Sequence, residues 1–197
     1  TWGTNYIAIR SYPRGNELDA WRIMASEDNT EVTFNPAVNE TLTLNRGQWH
    51  EFESNEDFFV NANKPVLVGQ FLAAEQAPNP GRAEGDAGTG DPAFILAVPV
   101  RQFRDSYVFL APDKYERDYV SVAIKKGTAA LLDGASIVDR PAALTSDLAG
   151  GEWQAVRVPI SDGFHTLSCT ETCSVMVHGY DSYVSYGYPG GLNLDDL

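Results

Sequence analysis

The sequence predicts an all-β protein: two tandem, mutually packed units of β-sandwich or jelly-roll type, related by internal duplication. Three observations carry this. Alternating runs rich in aromatic and β-branched residues recur about every 8–12 residues, and helix signals are scarce. Four stretches of the first half return in the same order in the second. A glycine- and proline-rich connector divides the two halves.

In the first half, Tyr6–Arg10, Trp21–Ala25, Glu31–Phe34, Thr41–Leu44, Trp49–Glu53, Phe58–Ala62 and Val66–Leu72 read as strands. Turn-forming residues lie between them: Pro13-Arg14-Gly15-Asn16, Asp28-Asn29, Arg46-Gly47 and Asn63-Lys64-Pro65. Gly, Asn and Pro supply the backbone angles that tight turns demand. The second half reads likewise, with strands at Tyr107–Leu110, Tyr119–Ile124, Thr128–Leu132, Trp153–Val158, Thr166–Cys169 and Ser174–Tyr180.

Placed side by side, Tyr6–Ile9 falls on Tyr107–Leu110 at an offset of 101, and Trp21–Ala25 on Tyr119–Ala123 at 98. Gly47-Gln48-Trp49 falls on Gly151-Glu152-Trp153 at 104, and Val66–Phe71 on Val175–Tyr180 at 109. Loop insertions account for such drift. The units span roughly 75–90 residues each, an ordinary small-domain size. We place the first unit at 1–76, a surface connector at 77–92, the second unit at 93–189 and a flexible tail at 190–197. The apolar run Phe94–Val100 reads as a buried strand or as packing between the units, so the halves share an interface.

Composition excludes several function classes. With 14 basic against 27 acidic residues the formal net charge is −13. Such a surface repels phosphate backbones and anionic lipids, which argues against nucleic-acid binding. The longest apolar stretch, Ala93–Val100, is far short of the roughly 20 residues a membrane helix needs, so no membrane insertion is expected. The chain starts at Thr1 without a signal-peptide pattern and reads as a mature or excised fragment.

The candidate chemistry is sparse. Cys169 and Cys173 flank a short segment between two strand-like runs and are expected to form a structural disulfide across a hairpin neck, which implies an oxidising compartment. The histidines His50, His165 and His178 accompany no nucleophile elbow and no zinc-protease motif, and no spacing selects a carboxylate pair among Asp113, Asp118 and Glu152. The chain is therefore read as a non-enzyme without a cofactor. Glu84, Asp86 and Asp91 in the glycine-rich connector form a calcium candidate, because carboxylates and inward-turned carbonyls are what that ion takes. Tyr180, Tyr183, Tyr186 and Tyr188 form a candidate contact surface for a protein or a glycan, since tyrosine offers a large area with a polar tip. The sequon Asn39-Glu40-Thr41 is a weak secretory hint.

Four stretches resemble the N-terminal domain of IgG-Fc-binding proteins, a family that includes large bacterial surface proteins and a mammalian mucus-associated member. They are Gly3–Ala8, Gly90–Ala93 with Val98–Arg104, Tyr107–Val120 and Val177–Gly191. The third and fourth are the most specific. Asn5, where an acidic residue is expected, and the cysteine pair depart from the family pattern. The resemblance implies an extracellular or cell-surface all-β module within a larger protein, with neighbouring domains. It supplies no catalytic motif and no agreed binding residues. The expected function is non-enzymatic recognition of an extracellular protein or glycan in adhesion. The alternative is a self-associating structural subunit of an extracellular filament or matrix.

Overall fold

Alternation of buried and less buried side chains builds the first unit. In the computed structural model, which describes residues 1–78 and 88–194, β2 (Asp19–Ala25) and β3 (Thr30–Asn35) bury every second residue. They join β1 (Gly3–Ala8), β4 (Leu42–Leu44), β5 (Trp49–Ser54), β6 (Phe58–Phe71) and β7 (Phe94–Leu96) in one curled seven-stranded sheet. The curl closes over Tyr6, Trp21, Ile23, Val32, Phe58, Val60 and Val68.

β6 is the spine of this sheet. Its first part pairs with β1 and β3, its last part with β2 and β7. The sequence predicts two strands here, parted by a turn at Asn63-Lys64-Pro65, but the chain runs straight through. Pro65 costs no ladder bond because β1 shifts register beside it, between Gly3 and Asn5, and bulges are where sheets tolerate proline. Its carbonyl accepts from the Ser26 N–H at 3.1 Å and the Ser26 hydroxyl at 2.6 Å. β7 follows the connector in sequence yet pairs with β6, so it extends the sheet of the first unit.

The second unit is a sandwich. Its strands are β8 (Arg104–Ala111), β9 (Arg117–Lys125), β10 (Ala130–Leu132), β11 (Ala135–Ser136), β12 (Leu144–Asp147), β13 (Trp153–Ile160), β14 (Gly163–Cys173), β15 (Met176–Asp181) and β16 (Val184–Pro189). A four-stranded sheet, β11-β10-β14-β8, faces a five-stranded one, β12-β13-β9-β15-β16. Phe109, Val120, Val122, Leu132, Val156, Leu167 and Val177 fill the space between them. Cys169 and Cys173 form the expected disulfide, with Cα atoms 6.4 Å apart. Both lie within β14, where its register with β8 breaks, so the bond spans a strand irregularity and not a hairpin neck.

The two units repeat one pairing order. β1, the first part of β6, β3 and β4 are joined as β8, β14, β10 and β11 are. β5, β2, the last part of β6 and β7 are joined as β13, β9, β15 and β16 are. The registers correct one sequence alignment: an offset of 98 sets inward-facing Trp21 on Tyr119, which faces out of the sandwich, whereas pairing places Trp21 with Val122. Descent from one duplicated unit remains a proposal.

β9 shows how the units meet. Val120, Val122 and Ile124 point into the sandwich, and Ala123 points the other way. Against this outer face lie Ile7, Ile9 and Phe59 of the first unit, in a cluster that includes Phe103, Leu148, Trp153 and Ala155. A second cluster joins Leu72 and Ile95 to Tyr119 and Tyr180, and the Tyr12 ring stacks on Tyr119 at 4.3 Å.

Candidate binding surfaces

Ionisable groups from both halves of the sequence meet in the seam. The Arg157 guanidinium on β13 donates to the Asp57 carboxylate between β5 and β6, and its Nε donates to the Arg10 carbonyl at 2.9 Å. The Ser146 hydroxyl and the Arg10 N–H also donate to Asp57, at 2.5 and 3.0 Å. Deeper, Asp19 accepts from the Ser11 N–H, the Ser11 hydroxyl and Gln70 at 2.7–2.9 Å, while burial raises its pKa. His178 accepts the Tyr12 N–H at Nε2, 3.0 Å away, which puts its proton on Nδ1. Burial, then the charges of Arg157 and Arg14, hold its pKa down at about 3, so it is neutral in the physiological range. Arg157 with Asp57 and Arg10, and His178 with Tyr12, fasten one unit to the other, while Asp19 is held within the first.

The four tyrosines part company. Tyr180 is fully buried under the Arg14 guanidinium, 4.2 Å from its ring centre, and offers a partner nothing. Tyr186 donates to Asp118 at 2.5 Å, and Tyr188 to the Leu110 carbonyl at 2.6 Å, so both serve the second unit. Tyr183 is exposed. Of the calcium candidates, Glu84 and Asp86 lie outside the described residues, and the Asp91 N–H donates to the Ser185 hydroxyl at 2.8 Å. Among the described residues no three His, Cys, Asp or Glu side chains are grouped to hold a metal ion.

Of the carboxylates weighed for catalysis, Asp118 pairs with Ile160 at one end of the β9–β13 ladder, and Glu152 lies beyond Trp153 at the other. Burial raises the Asp118 pKa, the Tyr186 hydrogen bond lowers it, and the neighbouring Asp162 raises it.

Two exposed sheet faces stand out instead. On the outer face of the first unit, Arg22 lies between the rings of Trp49 and Phe71, at 4.5 and 4.8 Å, and pairs with Glu51 at 2.7 Å. Phe94 continues the row, 4.8 Å from Phe71. Trp49 is 53% exposed and Phe94 52%. On the outer face of the four-stranded sheet, Val108 is 68% exposed and Phe164, opposite Leu110, is 80% exposed. Both faces were missed in the sequence reading, although strand parity carries the signal: Trp49 alternates in phase with Glu51 and Glu53, and Phe164 with Thr166 and Ser168.

The family model for the IgGFc binding protein matches residues 1–179. The chain belongs to this family. No curated protein and no solved structure matches it. The match runs from β1 into β15 and so takes in strands of both units. The family is one of binding modules, and its proteins are extracellular or secreted, with which the disulfide is consistent. Among the described residues no helix is long and apolar enough to cross a membrane.

Proposed function

We propose that this chain is a non-enzymatic protein-recognition module of an extracellular or cell-surface protein, used in adhesion, and that the Trp49 stripe is its contact surface. The observation that carries the reading is the row Trp49, Arg22, Phe71 and Phe94 on one open sheet face. Trp and Arg dominate binding hot spots because they bury much area at little entropic cost, and here each holds the other in place by a cation–π contact. Large exposed aromatics clustered on a soluble domain mark an interaction site. A protein is favoured over a glycan because the family is named for binding one. Calcium held by Glu84, Asp86 and Asp91 is a subsidiary proposal, supported by their charge and glycine-rich setting.

Purified chain and its Trp49→Ala variant, tested against purified extracellular proteins including the IgG Fc region and against a glycan array, check the reading. Saturable binding to a protein, weakened about tenfold or more by the substitution, is the expected outcome. Binding to glycans alone, or a variant that binds the protein as wild type does, would overturn it.

A further inference from the structure

Resting on that reading, we propose that the partner of the Trp49 stripe is a second copy of this chain, docked head to tail through the Val108–Phe164 face of its second unit.

The intramolecular seam is the template. Its plug is the outer face of β1 and β6, where Ile7 and Ile9 leave the first unit beside Phe59. Its socket is the outer face of β9 and β13, where Trp153, Ala123 and Ala155 receive them. Both faces have a counterpart at the far ends of the molecule. Tyr6, Ile7 and Ala8 pair with Val60, Phe59 and Phe58, as Tyr107, Val108 and Phe109 pair with Leu167, Thr166 and His165. Tyr6 and Ala8 face the core of the first unit, and Tyr107 and Phe109 that of the second. Val108 and Leu110 therefore stand where Ile7 and Ile9 stand, but they are 68% and 44% exposed. The socket repeats too. Met24 pairs with Trp49 and Arg22 with Glu51, as Lys125 pairs with Trp153 and Ala123 with Ala155. Trp153 is buried in the seam at 7% exposure while its counterpart Trp49 is open. The molecule thus ends in an unfilled plug on one side and an unfilled socket on the other.

The differences between the ends and the seam are compatible with docking. Where the seam joins Asp57 to Arg157, the open socket holds Glu53, which pairs with Ala20 as Arg157 pairs with Ser121. The open plug answers with Phe164, opposite Leu110, in place of a carboxylate, so no two like charges meet there. Arg22 and Glu51, at the places of Ala123 and Ala155, neutralise each other. Contact between unlike faces leaves each copy one free end, so copies add in one direction, as repeats stack in a solenoid, unless the rotation between them closes a ring. The net charge of −13 opposes this, and salt screens that repulsion.

Sedimentation and light scattering of the full chain, over concentration and salt, test the proposal. Two variants separate the ends: Trp49→Glu disables the socket, and Val108→Glu with Phe164→Glu disables the plug. Circular dichroism and melting curves confirm that each is folded, and the wild-type series needs no variant. We expect the wild-type mass to climb past the dimer with concentration, more steeply at higher salt. Each variant alone stays monomeric, its association weakened about tenfold or more. Mixed one to one, the two variants form a dimer and nothing larger, because one competent plug meets one competent socket. A wild type that stays monomeric to roughly millimolar concentration, below which association is very weak, overturns the proposal, as does a mass that stops at two or an equimolar mixture that stays monomeric. If the wild type is monomeric but Trp49→Ala loses a protein partner in the panel, head-to-tail docking fails and the recognition reading stands. If Trp49→Ala changes neither association nor panel binding, both fail.

Discussion

His178 shows what burial does to a single titratable group. In the unfolded chain it takes up a proton below its ordinary pKa of 6.5, while in the folded seam it resists until about pH 3. Between those values the unfolded state binds more protons, so stability falls as the pH falls, by roughly 1 kcal/mol per unit. Asp19 works the other way: its pKa is raised by burial, so acidification removes a buried charge and partly offsets the loss. Urea unfolding at pH 7, 5.5 and 4.5 should show a shallower acid limb in His178→Gln than in wild type. Equal limbs would mean that His178 does not set the slope. Strand alternation marked His178 as a strand residue, but not the Arg14 and Arg157 charges around it, which arrive from distant parts of the chain.

Gly179 matters to its whole strand. On β15 it lies between β9 and β16, and a Cβ there would stand 2.4 Å from a Tyr186 ring carbon, 2.5 Å from Asp118 Oδ1 and 2.9 Å from the Arg117 carbonyl oxygen. The last of these is backbone and cannot swing aside. Gly179→Ala should therefore cost about 1–3 kcal/mol, as overpacking does, and should break the Tyr186–Asp118 hydrogen bond of 2.5 Å. Thermal unfolding measures the loss; an unchanged midpoint would show that β15 and β16 can part without cost. β6 carries the same lesson from the other direction. Local signals at Asn63-Lys64-Pro65 read as a turn, and only the change of pairing partners on both sides shows why the strand continues there.

For the molecule as a whole, the seam makes two units one body. Asp57 and Arg157 come from different units, and both side chains are buried. Removing one leaves the other charged and dry, which costs about 3–5 kcal/mol, whereas replacing both by apolar groups is often close to neutral. Arg157→Met alone should lower stability to urea far more than Arg157→Met with Asp57→Leu. If the double variant is no better than the single, the pair does not couple the units. The repeated pairing order supports the proposed duplication, and in a two-unit stack the face that one unit buries is left bare on the other.

Much of this was legible in one dimension. Alternation announced an all-β chain, cysteine spacing announced the disulfide, and motif order announced the family, because each depends on residues close in sequence or on a pattern carried along the whole chain. Alternation also states which residues share a face: Trp49 with Glu51, Val108 with Leu110. It does not state which face is covered. Ile7 and Val108 occupy the same place in the same kind of strand, yet one is buried and the other open. Tertiary structure alone made that choice, because covering a sheet face requires a second surface, and that surface is supplied by strands about a hundred residues away whose contact leaves no local period to read.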